Sequence, residues 1–188
     1  MEKLIPFTIN DLAKITNHRS GEIKFGEKMI VIPPGADIVN FLKESEAKYV
    51  LLGIPEDIGV RANYGRPGAA SAWKSAIKSI ANIQHNRFCK GSNIIVLGQI
   101  NVSQEMRDVE NLDFNDIDDR SKLSQLVEKI DKEVSHIIFT IIKAGKTPII
   151  IGGGHNNAYG NIKGARVAKG KPINAINFDA HSDFRILE

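Results

Sequence analysis

The segment from residue 179 to residue 183 carries the strongest chemical signal in this sequence. Asp179, His181 and Asp183 occupy alternate positions directly after the apolar run Ile173–Phe178. Alternate side chains of an extended chain point to the same side, so two carboxylates and one imidazole can face a single point. Keeping them beside an apolar strand is costly unless a cation or hydrogen-bond donors neutralise them. The pattern predicts a metal site; the alternative is a polar loop whose acids cap a helix.

A second unusual segment is the run Gly152-Gly153-Gly154-His155, which follows the apolar residues Thr147–Ile151. Three consecutive glycines let the backbone turn sharply and pass close to another group, at a cost in conformational entropy. His155, at the mouth of a helix, is therefore a candidate metal ligand. Two alternatives stay open: a tight turn with an incidental histidine, and a phosphate-binding turn at a helix N-terminus. The longer glycine spacings of nucleotide-phosphate loops are not found here.

The elements that position these residues follow from the hydrophobic pattern. Apolar runs bounded by Gly or Pro predict buried strands at Tyr49–Ile54, Asn93–Gly98, Thr147–Ile151 and Ile173–Phe178, with Met29–Ile32 a weaker candidate. Helices are predicted at Asp37–Glu46, Ala69–Ile80, Ser121–Ala144 and Asn156–Ala168. For the third helix we expect Ser121 as N-cap and Gly145 as the stop. We expect the acidic stretch Gln104–Arg120 to be a surface loop and Trp73 to lie in the core.

Strands that alternate with helices predict an α/β fold of three layers, α/β/α, around a mainly parallel sheet. Ligands of such sheets collect at the carboxyl ends of the strands, where both chemical segments are expected. If their strands are adjacent, His155 lies beside Asp179, His181 and Asp183. This mixture of carboxylates and imidazoles suits Mn²⁺, with Zn²⁺ or Fe²⁺ less favoured and Mg²⁺ disfavoured by the histidines.

Composition narrows the class of protein further. The chain has 188 residues, 42% of them hydrophobic, and a net charge of +3 spread over interspersed acids and bases. The sequence has no basic tract of the kind that predicts nucleic-acid binding. It also has no apolar run long enough to predict a signal peptide or a membrane span. A single cysteine, Cys89, fits a reducing compartment. We therefore expect a cytoplasmic protein with no nucleic-acid or membrane partner.

The two chemical segments together resemble the first two metal motifs of the ureohydrolases, the family of arginase, agmatinase and formimidoylglutamase. The segment Gly53-Ile54-Pro55, followed by Gly65-Arg66-Pro67-Gly68-Ala69, is similar to the glycine–proline loop of the same family. The resemblance covers most of the chain from about Lys48 onward. Within the family, Asn63–Ala69 and Phe184-Arg185 are most similar to formimidoylglutamase-type members.

This resemblance implies a ureohydrolase-like α/β/α fold and a site for two Mn²⁺ ions when complete. The resemblance implies that His155 and Asp183 would bind one ion, that His181 would bind the other, and that Asp179 would bridge both. Asn156 and Asn157 stand where contacts to these ligands or to the substrate are expected. The implied reaction is hydrolysis of a linear amidine C–N bond, N-formimidoyl-glutamate and water giving glutamate and formamide. An agmatinase- or arginase-like reaction on a guanidino substrate, or an inactive truncated member, is the alternative.

The end of the sequence departs from the family pattern. The family completes its metal site with a later Asp-x-Asp motif, and none follows Asp183. Asp116-Ile117-Asp118 has that spacing but follows no apolar strand, so we do not assign it to the site. We therefore expect the C-terminal half of the fold to be missing, with 1–35 an N-terminal extension and 36–188 the N-terminal part of the α/β domain. The exposed sheet edge, and the rings that the family forms, make a homo-oligomer an expectation.

Overall fold

The apolar, β-branched runs of the sequence form one five-stranded sheet in the computed structural model, which describes residues 3–181. The strands are β1 (Leu4–Pro6), β2 (Ile30–Val31), β3 (Tyr49–Ile54), β4 (Ile94–Ile100) and β5 (Thr147–Gly152). The order is β1-β4-β3-β5, with β2 also paired to β4. Pairing is parallel except between β1 and β4. The expectation of a mainly parallel sheet is confirmed.

Helices cover both faces of this sheet, as the three-layer prediction requires. They are α1 (Ile9–Ile15), α2 (Ile38–Glu44), α3 (Ile58–Ala62), α4 (Ala72–Ala81), α5 (Ser103–Val109), α6 (Ile117–Lys143) and α7 (Asn157–Lys169). Among residues 3–181, none of the helices combines the length and apolarity that crossing a membrane would take.

Alternating side chains of the central strands divide the core in two. On β3, Val50 and Leu52 pack into the cluster that contains the buried stripe of α6, while Leu51 packs into the opposite cluster with Trp73. Both faces of β3 are therefore dry, which explains why its sequence is a continuous apolar run and not an alternating one. Trp73 is only 3% exposed, so its predicted core position is confirmed. Its indole lies against Gly53, where a Cβ atom would meet the ring at 2.2 Å.

The long helix α6 begins earlier than predicted, and the acidic stretch before it is not one loop. Asp116, not Ser121, is the N-cap, and its carboxylate accepts from the backbone N–H groups of Asp118 and Asp119 at 3.0 Å each. Carboxylates near a helix N-terminus are stabilised by the unpaired N–H groups there, so the acidic composition marks a helix start. The prediction of a surface loop at Gln104–Arg120 is therefore wrong in part: α5 and the start of α6 lie within it, and Val109 of α5 is fully buried.

Residues 3–35, which we expected to form an extension, pack against the rest of the described chain. β1 and β2 both pair with β4, at Leu4 opposite Ile100 and Ile30 opposite Ile95. Leu12 of α1 is 1% exposed in the cluster around Trp73. These residues therefore contribute two strands to the same sheet and part of the core that packs on it.

The predicted strand Ile173–Phe178 is wrong for this structure. The described residues from Pro172 to Phe178 form neither helix nor strand, and Ile176 and Phe178 are 95% and 104% exposed. A strand exists only through hydrogen bonds to a neighbouring strand, and no strand among residues 3–181 pairs with this segment. Apolar composition alone therefore did not decide its conformation.

Candidate metal centre

His155 lies in the turn between β5 and α7, at the carboxyl edge of the parallel sheet. β5 ends at Gly152, and α7 begins at Asn157. The turn closes through hydrogen bonds from the N–H of Asn157 to the carbonyl of Gly154, at 3.3 Å, and from the N–H of Ala158 to the carbonyl of His155, at 2.9 Å. His155 is exposed while Gly154 is buried. The sequence placed this histidine correctly at the strand-to-helix turn.

Two of the three glycines, Gly153 and Gly154, lie where the turn is crowded by its neighbours. A Cβ atom on Gly153 would lie 1.5 Å from the carbonyl oxygen of Glu56. A Cβ atom on Gly154 would lie 2.1 Å from the side-chain oxygen of Asn156 and 3.2 Å from Oε1 of Glu56. Close contacts therefore leave no room for a side chain at Gly153 or Gly154, whereas a Cβ atom on Gly152 would make only ordinary contacts.

The partner of this turn is Glu56, which the sequence reasoning missed. It follows β3 and Pro55 and is fully buried. Its Oε2 accepts from the N–H of Ile58 at 2.7 Å, while Oε1 accepts from the N–H of Gly154 at 3.2 Å and from Nδ2 of Asn157. The signal that could have identified it is an acid placed directly at the carboxyl end of a buried strand.

Asn156 and Asn157 lie on the inner side of the same turn. Asn157 is 3% exposed, and its Nδ2 also donates to the carbonyl of Gly154 at 3.0 Å. The side chain of Asn156 packs against Gly59 of α3, where a Cβ atom would meet its oxygen at 2.2 Å. Both asparagines therefore support the turn that carries His155. That either one contacts a substrate stays a prediction.

A second buried acid, Asp131 of α6, faces this region. It is 9% exposed, and its Oδ1 has no hydrogen-bond partner within the described part of the chain. Burial, followed by the nearby negative charge of Glu56, raises the pKa of Asp131 to about 6, although the positive charge of Lys163 opposes the rise. The negative charge of Glu128 acts in the same direction as that of Glu56.

Asp57 organises the loop that follows β3. Its Oδ1 accepts from Nε of Arg61 at 2.7 Å, and its Oδ2 accepts from the N–H of Gly68 at 2.6 Å. Burial alone would raise the pKa of Asp57, but the hydrogen bond from Gly68 and the Arg61 guanidinium, with the N–H of Ala70, bring it below the ordinary value. The glycine–proline loop singled out in the sequence is thus tied back to the end of β3.

Asp179 and His181 form a local pair. Oδ1 of Asp179 accepts from the backbone N–H of His181 at 2.8 Å and lies 3.3 Å from Nδ1 of the same histidine. This backbone hydrogen bond lowers the pKa of Asp179 most; burial opposes it, and the ring of His181 and then the positive charge of His155 add to the lowering. The side chain of His181 is 85% exposed and that of Asp179 34% exposed.

The structure brings two of the predicted ligands into contact, since Asp179 contacts His181. Asp183 lies outside the described residues, and His155 makes only the smallest contribution to the lowered pKa of Asp179. Within residues 3–181, no group of three or more His, Cys, Asp or Glu side chains is close enough to hold a metal ion. The donor set, two imidazoles and a carboxylate, has the chemistry that Mn²⁺ accepts. The four-residue metal site stays a prediction.

Comparison with known proteins identifies the family to which this chain is related. The model of the Arginase family matches residues 47–188. A formimidoylglutamase of Geobacillus sp. (strain WCH70) is 34% identical over 154 residues, which is 81% of this chain and 41% of that protein. The formimidoylglutamases of Hahella chejuensis and Chromobacterium violaceum are 30% and 32% identical, over 76% and 72% of this chain. The chain spans about two fifths of the length of these relatives. No solved structure matches it.

Proposed function

This chain belongs to the arginase family of hydrolases, and we propose that it forms part of a Mn²⁺-dependent formimidoylglutamase. The proposed reaction is hydrolysis of the amidine C–N bond of N-formimidoyl-glutamate, which gives glutamate and formamide. The supporting observation is the position of His155, on a glycine turn at the carboxyl edge of the sheet. The names of the relatives, which are formimidoylglutamases, support the choice of substrate.

In this proposal four side chains hold the metal. His155 and Asp183 would hold one Mn²⁺, His181 would hold the second, and Asp179 would contribute to both. When bound, two such cations supply a hydroxide nucleophile at neutral pH, because together they lower the pKa of a shared water. Glu56 and Asn157 keep the turn that carries His155 in place.

Titration of the purified chain with Mn²⁺, followed by electron paramagnetic resonance of the free ion, tests the metal assignment. We expect His155→Ala and His181→Ala each to weaken or abolish binding of one ion. His136→Ala is the matched control, because His136 is exposed on α6 and belongs to no predicted ligand set. Equal Mn²⁺ stoichiometry and affinity in all three variants and the parent chain would contradict the proposal.

The substrate is tested separately by product analysis with N-formimidoyl-glutamate, agmatine and arginine in parallel. Glutamate release from the first supports the amidine reaction. Urea release from either of the others would assign the chain to the guanidino-hydrolysing branch of the family instead. We expect little or no turnover from these 188 residues alone, since they span about two fifths of the relatives, so metal binding is the primary test.

A further inference from the structure

Glu56 connects two loops that are far apart in the sequence. Its carboxylate accepts one hydrogen bond from its own loop, from the N–H of Ile58, and two from the turn after β5. The two donors in that turn, Gly154 and Asn157, lie 98 and 101 residues further along the chain. A carboxylate offers only acceptors, so all three contacts suit Glu56 and an amide would not match them.

The backbone of Glu56 restricts the same turn by contact. Its carbonyl oxygen occupies the position where a side chain on Gly153 would begin, at 1.5 Å from that Cβ position. The carboxylate and the carbonyl therefore hold residues 153, 154 and 157 together. His155 lies between these held positions and has an exposed side chain.

We propose that Glu56 is a positioning residue, which fixes the Gly153–Asn157 turn in one conformation and so sets the direction of the His155 imidazole. This inference rests on the proposed function only in taking His155 as a metal ligand. Loop residues that bear a metal ligand need such support, because a ligand misplaced by a fraction of an ångström binds weakly. Glu56 itself is buried and makes no contact with a substrate in this role.

The test uses Glu56→Gln, which keeps the shape of the side chain and replaces one acceptor with a donor. In ¹⁵N-resolved hydrogen exchange, the Gly154 amide should exchange at least about tenfold faster than in the parent chain, since a hydrogen bond to a charged group is lost or weakened. The ring resonances of His155 should shift or broaden, while those of His18, His85 and His136 stay in place. The Mn²⁺ dissociation constant should rise about 10- to 100-fold.

Glu105→Gln is the matched control. Glu105 is also buried, at 5% exposure on α5, and its carboxylate accepts from Lys3 and not from the turn. Its replacement should leave Gly154 exchange and the His155 resonances unchanged, whatever it does to global stability. If Glu56→Gln fails to fold, Asn157→Ala gives a second route, because it removes a donor to the same carboxylate.

Three results would overturn the inference. One is that folded Glu56→Gln and Asn157→Ala both keep the Gly154 exchange rate and the His155 resonances of the parent chain. Another is faster Gly154 exchange with His155 resonances unchanged, which would make Glu56 a structural contact only. A third is Mn²⁺ binding by the parent chain that Glu56→Gln does not weaken. If the parent chain binds no Mn²⁺, the proposed function fails, and the exchange and ring resonances still decide the role of Glu56.

Discussion

Replacing Asp131 with asparagine should stabilise this protein at pH 8 and have a much smaller effect at pH 4. The carboxyl of Asp131 is buried, and the charge of Glu56 faces it, so the pKa is raised from its ordinary value of 3.8 to about 6. A raised pKa means that the folded state binds the proton more tightly than the unfolded state. The favourable contribution is therefore complete below pH 3.8 and is lost as the pH rises through about 6.

The size of the effect follows from the same two pKa values. At about 1.36 kcal/mol per pKa unit, the ionised carboxylate costs about 2–3 kcal/mol of unfolding free energy above pH 6. The amide introduced by Asp131→Asn cannot ionise, so this cost disappears in the variant. Any change in packing that the amide brings is independent of pH and cancels when the two pH values are compared.

Urea unfolding at pH 4 and pH 8, followed by circular dichroism, measures the difference. The stability gain of Asp131→Asn should be about 2–3 kcal/mol larger at pH 8 than at pH 4, with no change in the denaturant slope. Asp118→Asn, at an exposed acid in the first turn of the same helix, should lose up to about 1 kcal/mol at pH 8. An equal effect of Asp131→Asn at both pH values would refute the reasoning.

Two further predictions concern the loops around the site. Asp57→Asn should cost about 1–3 kcal/mol at neutral pH, since it weakens buried hydrogen bonds to a charged group. Because the folded pKa of Asp57 is depressed, this difference should fade as the pH drops below 3.8; unfolding curves that keep the full difference at pH 2.5 would count against it. Gly153→Ala should cost at least about 2 kcal/mol, because its Cβ atom would overlap the carbonyl of Glu56. Calorimetry should show a melting temperature lower by several degrees, and an unchanged value would contradict the close approach.

Local patterns were sufficient for the elements whose residues define them. The 3.6-residue period predicted most of α6, and apolar runs bounded by Gly or Pro predicted β3, β4 and β5. The glycine run placed His155 at a strand-to-helix turn. Each of these signals lies within a dozen or so neighbouring residues, because backbone periodicity and turn conformations are local properties.

The conformation of residues 173–178 and the contacts of Glu56 were decided by tertiary structure. The segment has the composition of a buried strand, but its state depends on whether another strand supplies hydrogen bonds. The sequence did not distinguish Glu56 from the other acidic residues, because its hydrogen-bond donors in the β5–α7 turn lie about a hundred residues away. The sequence by itself identified the residues proposed to bind a metal and the apolar runs that form β3, β4 and β5. Only the tertiary structure decided which residues support His155, because hydrogen bonds between residues about a hundred positions apart do not produce a local sequence pattern.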